Sequence, residues 1–233
     1  MPLIMVPGMM CDARLFAPQI AAMAPRHRID VPGLTGADTI AGLAEAILAT
    51  APPRFALAGL SMGGIVAMQI AAQAPERVAG LALLDTNHLP EADGVKARRL
   101  PQMAKVRAGE LASVMRDEMK PNYLAASVNR ADILGLCAEM ALGLGAEVFL
   151  AQSRALMTRP DHSATLAGYR GPALLLCGRE DRLCPPARHL AMQALMPHAR
   201  LAIIEAAGHL PCLEQPDITT AHLQDWLKET ENG

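Results

Sequence analysis

A serine, an aspartate and a histidine at three separate points of this chain have neighbours that suit nucleophilic catalysis. Ser61 stands in a Gly-x-Ser-x-Gly pattern that covers residues 59–63. Because a serine hydroxyl is a poor nucleophile, chemistry there requires an exposed oxygen, a neighbouring base and hydrogen-bond donors for a developing oxyanion. The pattern therefore predicts a nucleophile, provided that the surrounding elements expose the hydroxyl and bring a base to it.

The residues on either side of Ser61 predict a strand, a sharp turn and a helix. The apolar run 55–58 is typical of a buried strand, and apolar residues recur at helical spacing over 65–71. Glycines two residues before and after the serine suit a tight crossing of the backbone, where a Cβ would collide. This context favours a nucleophile elbow over a serine in an ordinary loop.

Two later loops contain candidates for the base and the acid. Asp181 follows the apolar run 173–177, and His209 follows the predicted strand 201–205, whose first four residues are apolar. If both runs are parallel strands, their carboxyl ends lie at the same sheet edge as the elbow, so these side chains converge on Ser61. Histidine suits the base because its ordinary pKa lies near neutrality, and a buried carboxylate fixes its tautomer and stabilises the imidazolium.

Alternating strand and helix patterns predict one α/β domain with a mostly parallel sheet covered by helices on both faces. Between residues 89 and 168 the alternation stops, and only helical patterns with charged residues between them occur. We interpret this stretch as a helical lid inserted before the last two strands, because it leaves the sheet beside the elbow. The predicted organisation is a core of residues 1–88 and 169–233 with a lid of residues 89–168. Its predicted helices are 94–107, interrupted by Pro101, 109–120, 130–143 and 145–158.

Composition limits the classes of function. A net charge of −2, with no long run of one sign, gives no electrostatic surface for nucleic acid or acidic membranes. The five cysteines are odd in number and lack paired spacing, so we expect reduced thiols in a cytoplasmic protein and no metal site. The N-terminus has no basic segment, and its apolar run is too short for a signal peptide or a membrane span.

Four motifs together resemble the α/β-hydrolase fold superfamily. They are the elbow at 59–64, a Gly-x-x-Asp-x-x-x-Pro loop at 178–185, a Gly-His loop at 208–209 with Glu-Gln-Pro at 214–216, and a Pro-Gly turn at 7–8. The resemblance covers the whole chain, and small esterases, enol-lactonases and carbon–carbon bond hydrolases are the most similar in size and lid position. It implies Ser61 as the nucleophile.

The same resemblance implies His209 as the base, Asp181 as the acid, and an oxyanion hole formed by the backbone amides of Met62 and Met9. The superfamily usually has His-Gly where this chain has Pro-Gly, so Met10 is the alternative to Met9 as the second donor. A narrow apolar floor around the serine is expected from flexible side chains. The residues predicted to contact the substrate are Met10, Leu60 and His88.

Other side chains at the predicted site leave alternatives open. The superfamily sometimes takes its acid from the strand before the lid, where Asp85 stands, although the loop signature favours Asp181. From the lid, His88, Arg98, Arg99 and Arg154 could touch a substrate carboxylate, but we expect a solvated helix face for each of them. The cysteines that fall in loops at the active edge are expected to line the pocket: Cys11, Cys184 and Cys212.

The sequence thus predicts a serine hydrolase that cleaves a small carboxylic ester or lactone through an acyl-enzyme, with no cofactor. Its partner would be that small-molecule substrate, without nucleic acid or membrane. A carbon–carbon bond hydrolase on the same triad is one alternative, and a non-catalytic ligand-binding protein on this scaffold is another. The lid is expected to set substrate choice and to accept small acyl groups rather than long lipid chains.

Overall fold

A computed structural model describes residues 1–119, 122–126 and 130–232, and its described strands form one sheet of six. All five neighbouring pairs are parallel, as predicted. Across the sheet the strands run in the order β2-β1-β3-β4-β5-β6. Their bounds are β1 Leu3–Val6, β2 Ile29–Asp30, β3 Phe55–Leu60, β4 Val78–Leu84, β5 Ala173–Gly178 and β6 Arg200–Ile204.

Helices cover both faces of this sheet. Short 3-10 turns at Ala13–Phe16 and Pro75–Arg77 and a π-helical turn at Val114–Met119 accompany the α-helices. The bounds are α1 Ala17–Met23, α2 Ile40–Thr50, α3 Met62–Gln73, α4 Asp93–Arg107, α5 Leu111–Ser113, α6 Arg130–Met157, α7 Ser163–Gly168, α8 Pro186–Leu195, α9 Pro211–Glu214 and α10 Pro216–Asn232.

Two hydrophobic cores lie on opposite faces of the sheet because side chains alternate along each strand. From β1, Ile4 and Val6 pack into the core that contains the buried residues of α2, α3 and α8. Leu3 and Met5 pack into the other core, which contains those of α1 and α10, including the fully buried Trp226. The central strands are buried on both faces, as predicted for a parallel sheet.

The described residues between β4 and β5 contain helices and no strand, so the inserted helical region is present. Pro101 lies inside α4 without ending it. The helix predicted over 109–120 is α5 followed by the π-helical turn, and Lys120 lies outside the described residues. The bounds 89–168 of a separate lid stay a prediction.

The helix α6 contains two helical segments, in agreement with the two predicted at 130–143 and 145–158. Its backbone leaves helical geometry at Gly145, where φ is 84° and ψ is 175°. By length and apolar composition α6 is the one helix of the described residues that could cross a membrane. About 20 continuous helical residues are needed for that crossing, and the break leaves neither half of α6 that long.

The strand order reverses at β1, which lies between β2 and β3. The chain proceeds from β1 outward to β2 and then returns to β3 on the other side. In an open parallel sheet such a reversal leaves a crevice at the carboxyl ends of the two strands, where ligands bind. The loop after β1 and the turn after β3 therefore lie together at the position that suits a site.

Gly63 allows α3 to start close to this crevice. A Cβ on Gly63 would collide with the carbonyl oxygen of Val6 and come within 2.6 Å of that of Pro7. Because this is backbone of a central strand region, we expect Gly63→Ala to destabilise the protein by about 1–3 kcal/mol or more, by overpacking. Thermal unfolding measures the effect.

The matched control is Gly135→Ala on α6. Gly135 is exposed, and no described atom lies within 4 Å of the position of its absent Cβ. Alanine there should leave the melting temperature unchanged or raise the stability by roughly 0.5–1 kcal/mol through helix propensity. Equal melting temperatures for Gly63→Ala and the wild type would show that the close approach carries no constraint.

Candidate active site

The strand, turn and helix predicted around Ser61 are present. Between the end of β3 at Leu60 and the start of α3 at Met62, Ser61 has φ 55° and ψ −116°. A positive φ is strained for a residue with a Cβ, so surrounding contacts must hold it. Its N–H donates to the Leu84 carbonyl at 2.9 Å, and the Thr86 hydroxyl donates to its carbonyl at 2.7 Å. The serine side chain makes no capping bond to α3, so its hydroxyl is left for another partner.

That partner is His209. Its Nε2 lies 2.9 Å from Ser61 Oγ, and its Nδ1 lies 2.9 Å from Asp181 Oδ2. In the tautomer with a proton on Nδ1, the ring donates to Asp181 and accepts from the serine hydroxyl. This arrangement can transfer the hydroxyl proton to the imidazole while the carboxylate stabilises the resulting cation. The structure thus brings together the three residues named from the sequence, and their catalytic roles stay a prediction.

The surroundings of Asp181 favour its ionised form. The carboxylate is buried, and its Oδ1 accepts the N–H groups of Leu183 at 2.8 Å and Cys184 at 3.0 Å. Burial alone would oppose ionisation, but the adjacent His209 and these backbone donors lower the pKa of Asp181 to about 2. At neutral pH it is therefore a carboxylate.

Asp85, the alternative acid, lies fully buried against Asp181. Its Oδ1 accepts the Gly178 N–H at 2.9 Å, while its Oδ2 has no donor within the described part of the chain. Burial, followed by the charge of Asp181, raises the pKa of Asp85 well above its ordinary value. A protonated Asp85 can donate to the carboxylate of Asp181, so burial favours Asp85 as a neutral support rather than as the acid. The histidine bonds Asp181, in agreement with the loop signature.

The two candidate donors after β1 differ in what their amides bind. The Met10 N–H donates to Oε1 of Gln152 at 2.9 Å and is therefore occupied. The amides of Met9 and Met62 have no acceptor among the described residues, and both residues line the cavity beside Ser61. Free N–H groups are what an oxyanion hole requires, so this geometry favours Met9 over Met10.

Gln152 is a residue that the sequence did not single out. It lies on α6, is buried, and also donates its Nε2 to the Leu34 carbonyl at 2.8 Å. The Gln152 side chain therefore links the loop after β1, through Met10, to the loop between β2 and α2, through Leu34. A glutamine within an apolar helix pattern gives no sequence signal for such a contact, because the bonded residues are far apart in the chain.

Glu214 holds the loop that carries His209. One carboxylate oxygen accepts the N–H groups on both sides of the histidine, from Gly208 at 2.9 Å and Leu210 at 3.0 Å. The other oxygen accepts the Ala125 N–H at 2.8 Å. Since Ala125 belongs to the segment between β4 and β5, this carboxylate ties the base loop to the inserted helices. In the sequence, Glu214 is marked by the Glu-Gln-Pro motif that follows the histidine.

A cavity of about 840 Å³ opens at Ser61. Of the three residues predicted to contact the substrate, Leu60 lines this cavity, whereas Met10 and His88 do not. The Met10 side chain packs into the hydrophobic core, and His88 is buried elsewhere with its carbonyl bonded to the His162 N–H at 2.9 Å. Other lining residues include Met9, Met62, Val95, Tyr123 and Leu156.

Arginines of the inserted helices also reach the cavity. Arg98 and Arg99 line it, whereas Arg154 forms an exposed ion pair with Asp38 at 2.9 Å. The expectation of a solvated helix face is therefore correct for Arg154 and wrong for Arg99, whose side chain is only 13% exposed. Arg159, which the sequence did not single out, lines the same wall.

The cysteines contribute walls rather than reactive groups. Cys11 and Cys184 line the cavity, and burial raises the pKa of both thiols well above the ordinary value. The expectation that Cys212 lines the pocket is wrong, because Cys212 lies on α9 and packs into the hydrophobic core. Cys184, Asp181 and His209 each have a potential ligand atom for a metal within 4.8 Å of the others. Two of these residues already bond each other in the triad geometry, so a metal there would compete with the orientation of the imidazole.

The neutral state of Asp85 predicts a pH-dependent stability. Its folded pKa is raised, so above its unfolded value of about 3.9 the folded protein keeps a proton that the unfolded chain has released. Stability from this group then falls as pH rises towards the folded pKa. Asp85→Asn keeps an acceptor for Gly178 and a donor for Asp181 without titrating, so it should raise the melting temperature more at pH 8 than at pH 5.

The same variant should change kcat for p-nitrophenyl butyrate by no more than a few-fold. Asp181→Asn, in contrast, should lower kcat by on the order of 10⁴, because the histidine loses the carboxylate that selects its tautomer. If Asp85→Asn were the more damaging of the two, Asp85 would be the acid.

Gln152→Met tests the support of the loop after β1. The substitution leaves the buried N–H of Met10 and carbonyl of Leu34 unpaired, at a cost of about 1–3 kcal/mol for each group. We expect kcat to fall roughly tenfold or more, since a displaced oxyanion donor is lost in the transition state. The control is Gln193→Met. The side-chain amide of Gln193 lies away from the site and donates to the Ala199 carbonyl at 3.3 Å. A lower melting temperature with unchanged kcat would limit Gln152 to a structural role.

Comparison with known proteins agrees with this geometry. A model of the alpha/beta hydrolase family matches residues 3–222. The pimeloyl-[acyl-carrier protein] methyl ester esterase of Xanthomonas oryzae pv. oryzae is 29% identical over 97% of this chain and 94% of its own. A namesake from Edwardsiella ictaluri is 29% identical over 88% of this chain and 83% of its own.

Solved structures agree as well. A thermophilic esterase from Thermogutta terrifontis, solved with malate bound, superposes with a TM-score of 0.89 and 28% identity over 99% of this chain and 90% of its own. The enol-lactonase from Burkholderia xenovorans shares the fold, with a TM-score of 0.87 and 23% identity over 97% of this chain and 91% of its own. The prediction of a hydrolase that acts on ester bonds agrees with these relatives. The chain belongs to the alpha/beta hydrolase family.

Proposed function

We propose that this protein is a serine hydrolase that cleaves small carboxylic esters or lactones through an acyl-enzyme. The observation that carries the proposal is the continuous line of hydrogen bonds from Ser61 through His209 to Asp181. It opens on a cavity whose volume, about 840 Å³, lies in the range of small-molecule sites.

In this mechanism the Nε2 atom of His209 takes the proton of Ser61 as Oγ attacks the substrate carbonyl. The carbonyl oxygen becomes an oxyanion, which accepts the N–H groups of Met9 and Met62. The imidazolium then gives its proton to the departing alcohol oxygen, and the acyl group stays on the serine. A water molecule loses a proton to the same nitrogen, attacks the acyl-enzyme and releases the carboxylic acid, which restores the hydroxyl.

Ester cleavage is favoured over the two alternatives. The two relatives whose alignments cover 97% and 88% of this chain are named for a methyl ester. This supports an ester rather than a carbon–carbon bond as the target. Against a non-catalytic binding protein stands the strained φ of 55° at Ser61, since a strained backbone persists where function requires it. Short alkyl esters, methyl esters among them, are therefore the substrates to test first.

The inserted helices are proposed to act as a lid that accepts small acyl groups. Charged side chains along this segment form exposed ion pairs, such as Lys105 with Glu118 at 2.7 Å and Arg154 with Asp38. Such faces suit helices that are wet on the outer side rather than a surface for an oil–water interface. We further propose a cytoplasmic location, which the absence of a disulfide at Cys11, Cys184 and Cys212 supports.

Ser61→Ala should remove hydrolysis of p-nitrophenyl butyrate, with kcat lower by on the order of 10⁶ and the melting temperature preserved. A fluorophosphonate probe should label the wild type and leave Ser61→Ala unlabelled. Ser113→Ala, which changes a partly exposed serine of the inserted segment, should be labelled like the wild type. Labelling of Ser61→Ala, or retention of more than a few per cent of its activity, would identify another nucleophile.

A series of p-nitrophenyl esters from acetate to palmitate tests the size of the acyl group. The proposed small-substrate pocket predicts the highest kcat/KM at the short end and no increase when the substrate forms micelles. Activity that peaks with palmitate would exclude it, and a parallel assay with β-diketones would detect carbon–carbon bond cleavage.

A further inference from the structure

The lining of the cavity carries more positive charge than its own carboxylates balance. Five arginines line the cavity, and the acidic residues among its lining are Glu91 and Glu118. Glu118 pairs with Lys105 at 2.7 Å, so within the described chain Glu91 is the one carboxylate bonded to any of these guanidinium groups. The five arginines are Arg98, Arg99, Arg159, Arg182 and Arg188.

Glu91 neutralises one of the two arginines that it touches. It is buried and holds Arg99 by two bonds, to Nε at 2.6 Å and to Nη2 at 2.8 Å. Arg159 reaches the same carboxylate only at 3.4 Å through Nη1, and its Nε donates to the Leu89 carbonyl at 3.0 Å. Two guanidinium groups, 13% and 11% exposed, thus share one negative charge.

The environment of Arg159 makes this excess charge costly without a further anion. Burial and the neighbouring Arg99 and Arg188 lower the pKa of Arg159, against the opposing effect of Glu91. A half-buried cation is stable when it is paired and hydrogen-bonded, and the described residues offer it no second carboxylate. The two arginines are therefore suited to bind a ligand that carries a negatively charged group.

One donor of Arg99 has only a weak partner at the cavity. Nη1 of Arg99 has a thioether as its partner, the Met9 sulfur at 3.6 Å, and sulfur is a weak acceptor for a charged donor. Met9 is also the residue whose amide is proposed for the oxyanion hole. A carboxylate could displace this weak contact and form charge-assisted bonds with Arg99 and Arg159.

We propose that the substrate carries a carboxylate on its acyl chain, bound by Arg99 and Arg159, so that half-esters of short dicarboxylic acids are preferred to neutral esters. This inference rests on the proposed ester hydrolysis and adds the class of substrate. The arginines act on binding and orientation, since the hydrogen-bonded line from Ser61 to Asp181 does not include them.

Paired methyl esters of equal length provide the test. The kcat/KM for monomethyl adipate should exceed that for methyl hexanoate by about 10- to 100-fold, as expected for charge-assisted bonds. Arg159→Met removes the second cation while Glu91 keeps both bonds to Arg99, so the ratio of kcat/KM for monomethyl adipate to that for methyl hexanoate should fall to about one. Release of methanol, measured with alcohol oxidase, serves both substrates.

Arg154→Met is the matched control, because Arg154 lies in the last turn of α6, shortly before Arg159 in the chain, but forms its ion pair with Asp38 outside the cavity. It should keep the preference for the charged ester. Adipate should also inhibit hydrolysis of p-nitrophenyl butyrate competitively, and adipamide should not. The inhibition should weaken at least about tenfold in Arg159→Met.

The outcomes separate this inference from the proposed function. Hydrolysis of methyl hexanoate without preference for monomethyl adipate, and without inhibition by adipate, would overturn the anionic substrate while ester hydrolysis stands. If neither ester is hydrolysed, the proposed function fails, and calorimetric binding of adipate to Ser61→Ala and to Arg159→Met still decides the inference. Equal adipate affinity in those two variants would overturn it.

Discussion

The hydrogen bond between Ser61 and His209 joins two residues that lie 148 positions apart in the chain. A bond of 2.9 Å tolerates little error, so every element between these residues must fix their relative position. The parallel sheet does most of this, because β3 and β6 present their carboxyl ends to one edge. Further hydrogen bonds fix the position of each loop. Thr86 holds the backbone of the elbow, and Glu214 holds the backbone beside the histidine.

Two carboxyl groups meet beneath the histidine, and their environments separate their behaviour. Asp181 receives two backbone donors and the imidazole, so it ionises readily. Asp85 receives one backbone donor in a fully buried position and keeps its proton. The neutral group can donate to the charged one, so a pair of like residues avoids repulsion. This pairing explains how Asp85 can occupy the alternative acid position while Asp181 alone bonds the histidine.

Local backbone requirements explain what the sequence could predict. The elbow, the strand ends and the loop glycines are constrained by neighbours within a few residues, so the patterns around Ser61, Asp181 and His209 were readable in the chain. Contacts across long separations left no such pattern. The bond from Gln152 to Met10 spans 142 residues, and it decides which amide of the loop after β1 stays free. The orientation of Arg99 into the cavity depends likewise on tertiary packing rather than on helical periodicity.

The loop of His209 depends on the inserted helices for one of its own backbone bonds. The backbone N–H of His209 donates to the Tyr123 carbonyl at 2.6 Å, and the Glu214 carboxylate accepts the backbone N–H of nearby Ala125. The insert is therefore not an exchangeable module. A graft that imports the helices of another hydrolase must retain the backbone path of residues 122–126, or the base loses its anchor. Substitutions meant to change specificity therefore belong on the other inserted helices, which make neither of these two bonds to the histidine loop.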